Sequence, residues 1–250
     1  MQTIWNDLLH LFFPNLCLTC RTPLIKTEKQ ICLGCLYDLP YTHFHTQPGN
    51  PVFHLFYGRI RIQAASAFLH YEKGNKVQKL VHAFKYHGNK ELAYELGKLC
   101  WQEVSRSSLF RDIDLIVPVP IHKKRRSIRG YNQAKYIARG IRAVSGLPVS
   151  TNLLYREVQS TSQVTKNIYD RWNNMQGLFT LKNESSIRGK HILLVDDVVT
   201  PSSTLCACAE KLLSVKEVQV SILTIAKAGT VFPFTHAKPD APLAPADRNH

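Results

Sequence analysis

The chain has 250 residues, 44% of them hydrophobic and 20% charged, with 32 Lys and Arg against 18 Asp and Glu for a formal net charge of +14. That length suits one substantial domain with a small module beside it, and apolar content spread along the chain excludes a wholly disordered polycation or a polar linker. No stretch reaches the ~18 uninterrupted apolar residues of a membrane-spanning helix, so no membrane insertion is expected.

Residues 1–13 are largely apolar, but Asp7 and His10 interrupt the run, and it has no basic segment before it as a secretory leader would. They read as an N-terminal helix leading towards Cys17, and the protein is expected to be cytoplasmic. Four of the seven cysteines then form one pattern, Cys17-x2-Cys20 and Cys32-x2-Cys35, with eleven residues between the pairs. Two such knuckles can turn four thiolates onto one tetrahedral Zn²⁺, a closed site whose role is structural or adhesive. Zinc at an all-cysteine site contributes roughly 10–16 kcal/mol at neutral pH, enough to fold a module too short for a core of its own. Two disulfides are the alternative for the same four residues, and a reducing compartment disfavours them.

From Ala64 to Tyr71 the run AASAFLHY reads as a strand, and 77–86 has apolar residues at helical spacing. A second amphipathic helix carries Leu92, Leu96 and Leu99 on one side, and Cys100 in it reads as a small buried hydrophobe. The run DLIVPVP from Asp114 is a buried strand closed by prolines. A long basic loop follows, then a helix over 134–144 and a polar stretch over 161–174 with little periodicity. Residues 191–195 form a second buried strand that ends in Asp196 and Asp197. A helix over 202–213 follows, with Cys206 and Cys208 inside it, and 218–226 is the last strand. His70, His82 and His191 have no metal-like spacing and read as ordinary helix and strand residues.

Strands alternating with helices imply an α/β fold, a mostly parallel sheet with helices on its faces, whose ligands sit at the carboxyl ends of the strands. Three segments should therefore meet: the one after Val119, the polar stretch 161–174 and the one after Asp197. The expected organisation is an N-terminal helix and four-cysteine module over 1–50, the α/β domain over 51–230 and a disordered Pro/Ala-rich tail over 231–250.

In HILLVDDVVTPSSTL a buried strand delivers two adjacent carboxylates, and a turn of small hydroxyl residues then opens a helix. Carboxylates there can accept hydrogen bonds from vicinal ribose hydroxyls or hold Mg²⁺, while the helix start can receive a phosphate. An acidic strand end that merely caps a helix is the alternative. Between Asp114 and Glu157 no acidic residue occurs, whereas Lys123, Lys124, Arg125, Arg126, Arg129, Lys135, Arg139, Arg142 and Arg156 do. The densest part, HKKRRSIRGYNQ, follows a buried strand, so the charge has an address and is not only a solvated face. Its side chains can neutralise nucleic-acid phosphates, with Tyr131 available to stack on a base. Lys85 and His87, in FKYHG, follow a helix that borders the same region, and a lysine suiting a helix C-terminus is the other reading of Lys85.

The stretch around Asp196 and Asp197 resembles the PRPP-binding signature of type I phosphoribosyltransferases. The resemblance implies that Asp196 and Asp197 contact ribose hydroxyls, with magnesium as a further ligand, and that Thr200, Ser202, Ser203 and Thr204 hold the 5′-phosphate. It implies a pyrophosphate-handling role for Lys123, Lys124, Arg125, Arg126 and Arg129. The turn departs from the family pattern: Pro201 removes an N–H donor and Ser202 stands where glycine would let the backbone approach. Thr200 as cap with Pro201 as first helical residue still makes an anion-binding helix start.

Taken with CxxC…CxxC, FKYHGNKELAYELG, RGYNQ and TSQVTKNIYDRWNNMQGLF, the chain closely resembles the ComF family of competence-related proteins, a zinc module joined to a phosphoribosyltransferase-like domain, over about residues 8 to 227. The resemblance implies structural Zn²⁺, Mg²⁺ with PRPP, a mobile loop bearing Gln163 and Arg171, and handling of incoming single-stranded DNA in natural transformation. It also implies DNA-uptake partners that meet the zinc module. An active phosphoribosyltransferase with an unknown acceptor is the alternative, although no nucleophile-activating base can be read from the chain.

Overall fold

The computed structural model describes residues 14–156, 178–200 and 203–229. The expected N-terminal helix, the polar stretch 161–174 with Gln163 and Arg171, Ser202 and the 231–250 tail lie outside these residues.

Strands β1 (Ala64–Tyr71) and β2 (Leu115–Pro118) fall where the AASAFLHY run and the proline-closed run place them. Leu154–Arg156 and Phe179–Leu181 form β3 and β4, an antiparallel ribbon absent from the sequence reading because three residues are too few to show a period of two. His191–Val199 is β5 and Gln219–Ala228 is β6. The main sheet has the order β1-β6-β5-β2 with every neighbour parallel, as expected for alternating strands and helices. The first five residues of β5 are all buried, which is why this strand reads as one apolar run without alternation.

Pro118 is tolerated because β2 is the outer strand of the ladder. The Val119 N–H points inward to the Val195 carbonyl (2.9 Å), while the Ile116 N–H points outward to Pro148 (2.9 Å). Position 118 shares the outward parity of 116, so its missing donor costs no bond to β5.

The helices are α1 (Leu33–Tyr37), α2 (Pro51–His54), α3 (Lys76–Tyr86), α4 (Lys90–Val104), α5 (Lys123–Arg129), α6 (Gln133–Ser145) and α7 (Ser203–Leu213). Asparagine caps open four of them: Asn50 caps α2, Asn75 accepts from Gln78 N–H (3.0 Å), Asn89 from Leu92 N–H (2.9 Å) and Asn132 from Ala134 N–H (3.1 Å). The expected basic loop is largely α5, a helix the sequence reading missed because none of its residues is buried and it shows no apolar stripe.

Two cores sandwich the sheet. On one face Leu80, Phe84, Leu96 and Ile137 from α3, α4 and α6 pack with Cys17, Ile31, Cys35 and Leu39 of the cysteine-bearing segment. On the other, Leu205, Cys208 and Leu212 of α7 pack with Phe56, Phe179 and Ile192. Cys100, Cys206 and Cys208 are buried, as small hydrophobes should be. Residue 50, where the sequence suggests a boundary, is a buried hub. The Asn50 amide donates to the carbonyls of Phe44 (3.1 Å), Gln47 (2.9 Å) and Ala65 (2.8 Å), and its oxygen accepts from Val52 N–H (2.9 Å) and Phe53 N–H (3.1 Å).

Helices α4 and α6 cross with their backbones in contact. A Cβ on Gly97 would overlap the Ile137 carbonyl oxygen, and one on Gly140 the Tyr94 carbonyl oxygen. Neither obstacle is a flexible side chain, so the helices must part to admit a methyl group. Gly140→Ala is expected to cost about 1–3 kcal/mol, read as a lower urea midpoint. A variant as stable as the parent would mean that α4 and α6 do not meet at this point.

Candidate ligand cleft and cysteine site

At the carboxyl end of the sheet, a cleft of about 210 Å³ lies between β5, the segment after β2, α5, the start of α6, and Arg156 of β3. The strand supplying its floor runs past the expected end at 195, so Asp196 and Asp197 lie inside β5 rather than after it. Adjacent strand residues face opposite sides. Asp197 is buried and meets Lys85 of α3, whose Nζ lies 3.2 Å from Oδ1. Asp196 accepts the Asp197 N–H at 2.8 Å. Burial and then the neighbouring Asp197 carboxylate push Asp196 up to about 7, against the pull of that N–H, Lys85 and Arg129. Near neutral pH Asp196 can therefore donate a hydrogen bond as well as accept one, which suits a hydroxyl-bearing ligand.

Helix α5 divides the basic cluster. Arg125 and Arg129, four residues apart and hence on one helical face, line the cleft. Lys123, Lys124 and Arg126 are exposed and do not line it. Arg156 also lines it, and burial and then Arg125 hold its guanidinium below the usual value. Burial, then Arg156, Lys124 and Arg125, likewise lower His122, whose Nδ1 accepts the Lys124 N–H (3.2 Å) and caps α5. Four permanent cations, Lys85, Arg125, Arg129 and Arg156, thus face two carboxylates. The Nε of Arg156 and the Nε2 of the buried Gln133, both on this cleft, have no hydrogen-bond partner among the described residues. A buried donor without an acceptor costs roughly 1–3 kcal/mol, which an anionic ligand would relieve.

Thr200, which follows β5, and Thr204, in the first turn of α7, both line the cleft. Ser202 lies outside the described residues, and Ser203 opens α7. Two helix starts, those of α6 and α7, border the cleft through Gln133 and Thr204, and helix N-termini favour phosphate. Tyr131 departs from its expected role. It is only 5% exposed, its hydroxyl donates to the Phe84 carbonyl, and burial followed by Tyr136 pushes its phenol up to about 12. Its ring braces α3 and is not open to a base. Lys85 and His87, adjacent in sequence reading, part company: Lys85 enters the cleft and His87 lines a groove beside the cysteine segment. His122, Gln133 and Arg156 were not singled out as ligand contacts. The available signals were the HKKRR run for His122, the RGYNQ stretch for Gln133 and the acid-free run for Arg156.

Cys17, Cys20, Cys32 and Cys35 are unbridged, and their sulfurs all lie within 4.8 Å of one another. The Cys20 to Cys32 separation of 3.7 Å matches the sulfur spacing of a tetrahedron with metal–sulfur bonds near ~2.3 Å. Burial alone would raise the Cys17 thiol, but the N–H groups of Cys20, Cys32 and Thr19 and the Thr19 hydroxyl outweigh it and bring it to about 5. The four residues can hold a metal ion and fit zinc. The segment is fastened to the helices: Lys79 donates to the Thr19 carbonyl (3.0 Å), Lys29 to Glu95 (2.7 Å) and Asn89 to Gln30 (2.9 Å).

Because the Lys85–Asp197 pair is largely shielded from water, Lys85→Met and Asp197→Asn, alone and combined, are expected to return a coupling of about 1–3 kcal/mol in urea denaturation. Coupling below about 0.5 kcal/mol would show that the pair contributes nothing to the fold.

Residues 127–238 match the family model described as the phosphoribosyl transferase domain. The chain is 30% identical over 214 residues to the DNA utilization protein YhgH of Salmonella typhimurium, covering 80% of this chain and 91% of that protein. It is 27% identical over 223 residues to competence protein F of Haemophilus influenzae, covering 84% of this chain and 96% of that one. Among solved structures, a glutamine phosphoribosylpyrophosphate amidotransferase from B. subtilis complexed with ADP and GMP matches at 16% identity and a TM-score of 0.40, over 57% of this chain and 30% of that chain. With a parallel sheet carrying adjacent acids near the end of β5, a four-cysteine cluster able to hold a metal ion and relatives matched over most of their length, this chain belongs to the ComF family, whose members carry a phosphoribosyltransferase-like domain.

Proposed function

We propose that the chain binds a phosphoribosyl ligand of the PRPP type in the cleft and serves, in the cytoplasm, to handle single-stranded DNA during natural transformation. The observation that carries the ligand reading is the cleft's excess of cations over carboxylates, with donors on Arg156 and Gln133 that find no acceptor among the described residues. In this reading Asp196 and Asp197 take the ribose hydroxyls, Thr200 and Thr204 with the start of α7 take the 5′-phosphate, and Arg125, Arg129 and Arg156 take the pyrophosphate. Mg²⁺, with its preference for carboxylate oxygen, would be held by the two acids together with the ligand and would offset pyrophosphate charge. The exposed Lys123, Lys124 and Arg126 are left to neutralise a DNA backbone. The names of the Salmonella and Haemophilus relatives, a DNA utilization protein and a competence protein, favour the same assignment.

A second reading, phosphoribosyl transfer to an acceptor, is favoured by the same cations, because they surround the place where pyrophosphate would depart. Calorimetry with PRPP and Mg²⁺ should give binding that Asp197→Asn abolishes and Arg125→Ala with Arg129→Ala weakens. Heat indistinguishable from buffer would remove the ligand reading. Pyrophosphate release with candidate acceptors, lost in Asp197→Asn, would establish transfer, whereas binding without release for any acceptor would leave the platform.

The cysteine cluster is assigned to structural Zn²⁺, with DNA-uptake proteins as the partners of its outer face. The purified protein should contain tightly held zinc, and Cys20→Ser should lose it and lower the melting temperature, since metal binding at such sites is folding free energy. A thiol titration in denaturant without reductant separates the disulfide alternative: four missing thiols and no metal would overturn the zinc assignment.

A further inference from the structure

Beside the ligand cleft lies a second concavity, of about 520 Å³, between the cysteine segment and α3. Arg21 enters it from the first knuckle, Lys79 and His82 from α3, and His87 from just beyond the helix; among the described residues no carboxylate lines it. Lys79, His82 and Tyr86 recur at helical spacing along one face of α3, and Lys79 is anchored to the knuckle through the Thr19 carbonyl at 3.0 Å. At the end of that face Tyr86 is 60% exposed. Its ring is held edge-on by His82 (centroids 5.2 Å apart) and capped by the Arg129 guanidinium at 5.4 Å. Arg129 lines the ligand cleft as well, so the Tyr86 ring stands between His82 of the groove and Arg129 of the cleft.

We propose that this groove is a binding track for a single-stranded polynucleotide, with Tyr86 as the stacking platform and Arg21 and Lys79 as the phosphate contacts. The inference rests on the single-strand reading above and supplies the stacking surface it lacks, since Tyr131 is buried. Positive charge along a groove that ends on an open aromatic ring is the chemistry of sequence-tolerant single-strand binding: the charges follow the backbone and the ring accepts any base. A duplex, whose bases are already stacked, gains nothing from Tyr86. An acidic peptide would use the cations without the ring.

Fluorescence anisotropy on the full chain, with labelled oligodeoxythymidine and oligouridine of about 16 nucleotides and a DNA duplex of equal length, tests the track. Tyr86→Ala should weaken single-strand binding roughly 5- to 100-fold, with Tyr86→Phe restoring it, and should leave duplex binding unchanged. Arg21→Asn, which keeps a residue suited to the left-handed backbone at 21 (φ 67°), together with Lys79→Gln, should reduce the salt slope by about 0.7 per charge removed. Weakening for both oligonucleotides supports a track that reads bases and phosphates, and weakening for one alone identifies the natural strand. If these variants bind like the parent while Lys123→Gln, Lys124→Gln and Arg126→Gln together abolish binding, the track is overturned and the single-strand reading stands. If the parent binds neither oligonucleotide, that reading fails and the track with it. Equal loss of duplex binding in Tyr86→Ala, or displacement of the oligonucleotide by oligoglutamate as readily as by unlabelled strand, also overturns it.

Discussion

The constraint on which the site depends is a carboxylate at the buried end of an interior strand. An unpaired ion in such a place costs several kcal/mol, so Asp197 requires a counter-charge from a neighbouring element, and Lys85 supplies it. That pairing fixes the last turn of α3, where three successive residues then have different surroundings. Phe84 is fully buried in the core and its carbonyl receives the Tyr131 hydroxyl, Lys85 reaches the acid, and Tyr86 faces solvent. Tyr131 lies between α5 and α6, so the same turn locates the element that carries Arg125 and Arg129. The cleft, its cationic wall and the adjoining groove are consequences of one buried charge being neutralised.

The distribution of charge follows from the same economy of partners. In the cleft Lys85 has Asp197, whereas Arg125 and Arg156 stand close enough to oppose one another, and the burial of Arg156 sharpens the conflict. Such an arrangement stores a demand for anion. On the far side of α5, Lys123, Lys124 and Arg126 are solvated, and their attraction for polyanions is correspondingly salt-screened over about 10 Å at ordinary ionic strength. One seven-residue helix therefore shows two kinds of electropositive surface, one that lines a cleft and suits a compact phosphorylated ligand and one outside it that suits a polymer.

Much of the fold was legible because its determinants are local. β1, β5 and β6 announce themselves as apolar runs, α3, α4 and α6 as periodic faces, and the cysteines by spacing alone. The paired acids were legible for the same reason, a charge set at the end of a buried run. The features that escaped depend on three dimensions. Helix α5 buries nothing, so it leaves no stripe to detect, and β3 and β4 are too short to alternate. Tyr131 sits in a basic segment and looks available to a base, yet the distant Phe84 carbonyl claims its hydroxyl and the ring goes inside. Tyr86 lies in an apolar-looking helix and looks like core, yet the register that sends Lys85 to Asp197 turns the next residue outward. Arg156 belongs to the cleft only because a three-residue ribbon folds back over the sheet.

The same register explains why a four-cysteine cluster able to hold a metal ion belongs in a protein whose cleft is elsewhere. The ion pairs Lys29–Glu95 and Lys76–Asp38 that join the cysteine segment to the helices are exposed on at least one side, and such pairs contribute little. The firmer attachment is apolar: Cys17, Ile31, Cys35 and Leu39 are buried in the same cluster as Leu80 and Phe84 of α3. Two of those residues belong to the metal-ligand set, so the order of the cluster and the order of the core beneath α3 are one event. A metal ion that holds the four sulfurs thereby steadies the helix whose last turn pairs Lys85 with Asp197 and leaves Tyr86 on the surface. The module acts on the cleft through packing, without contributing a ligand to it.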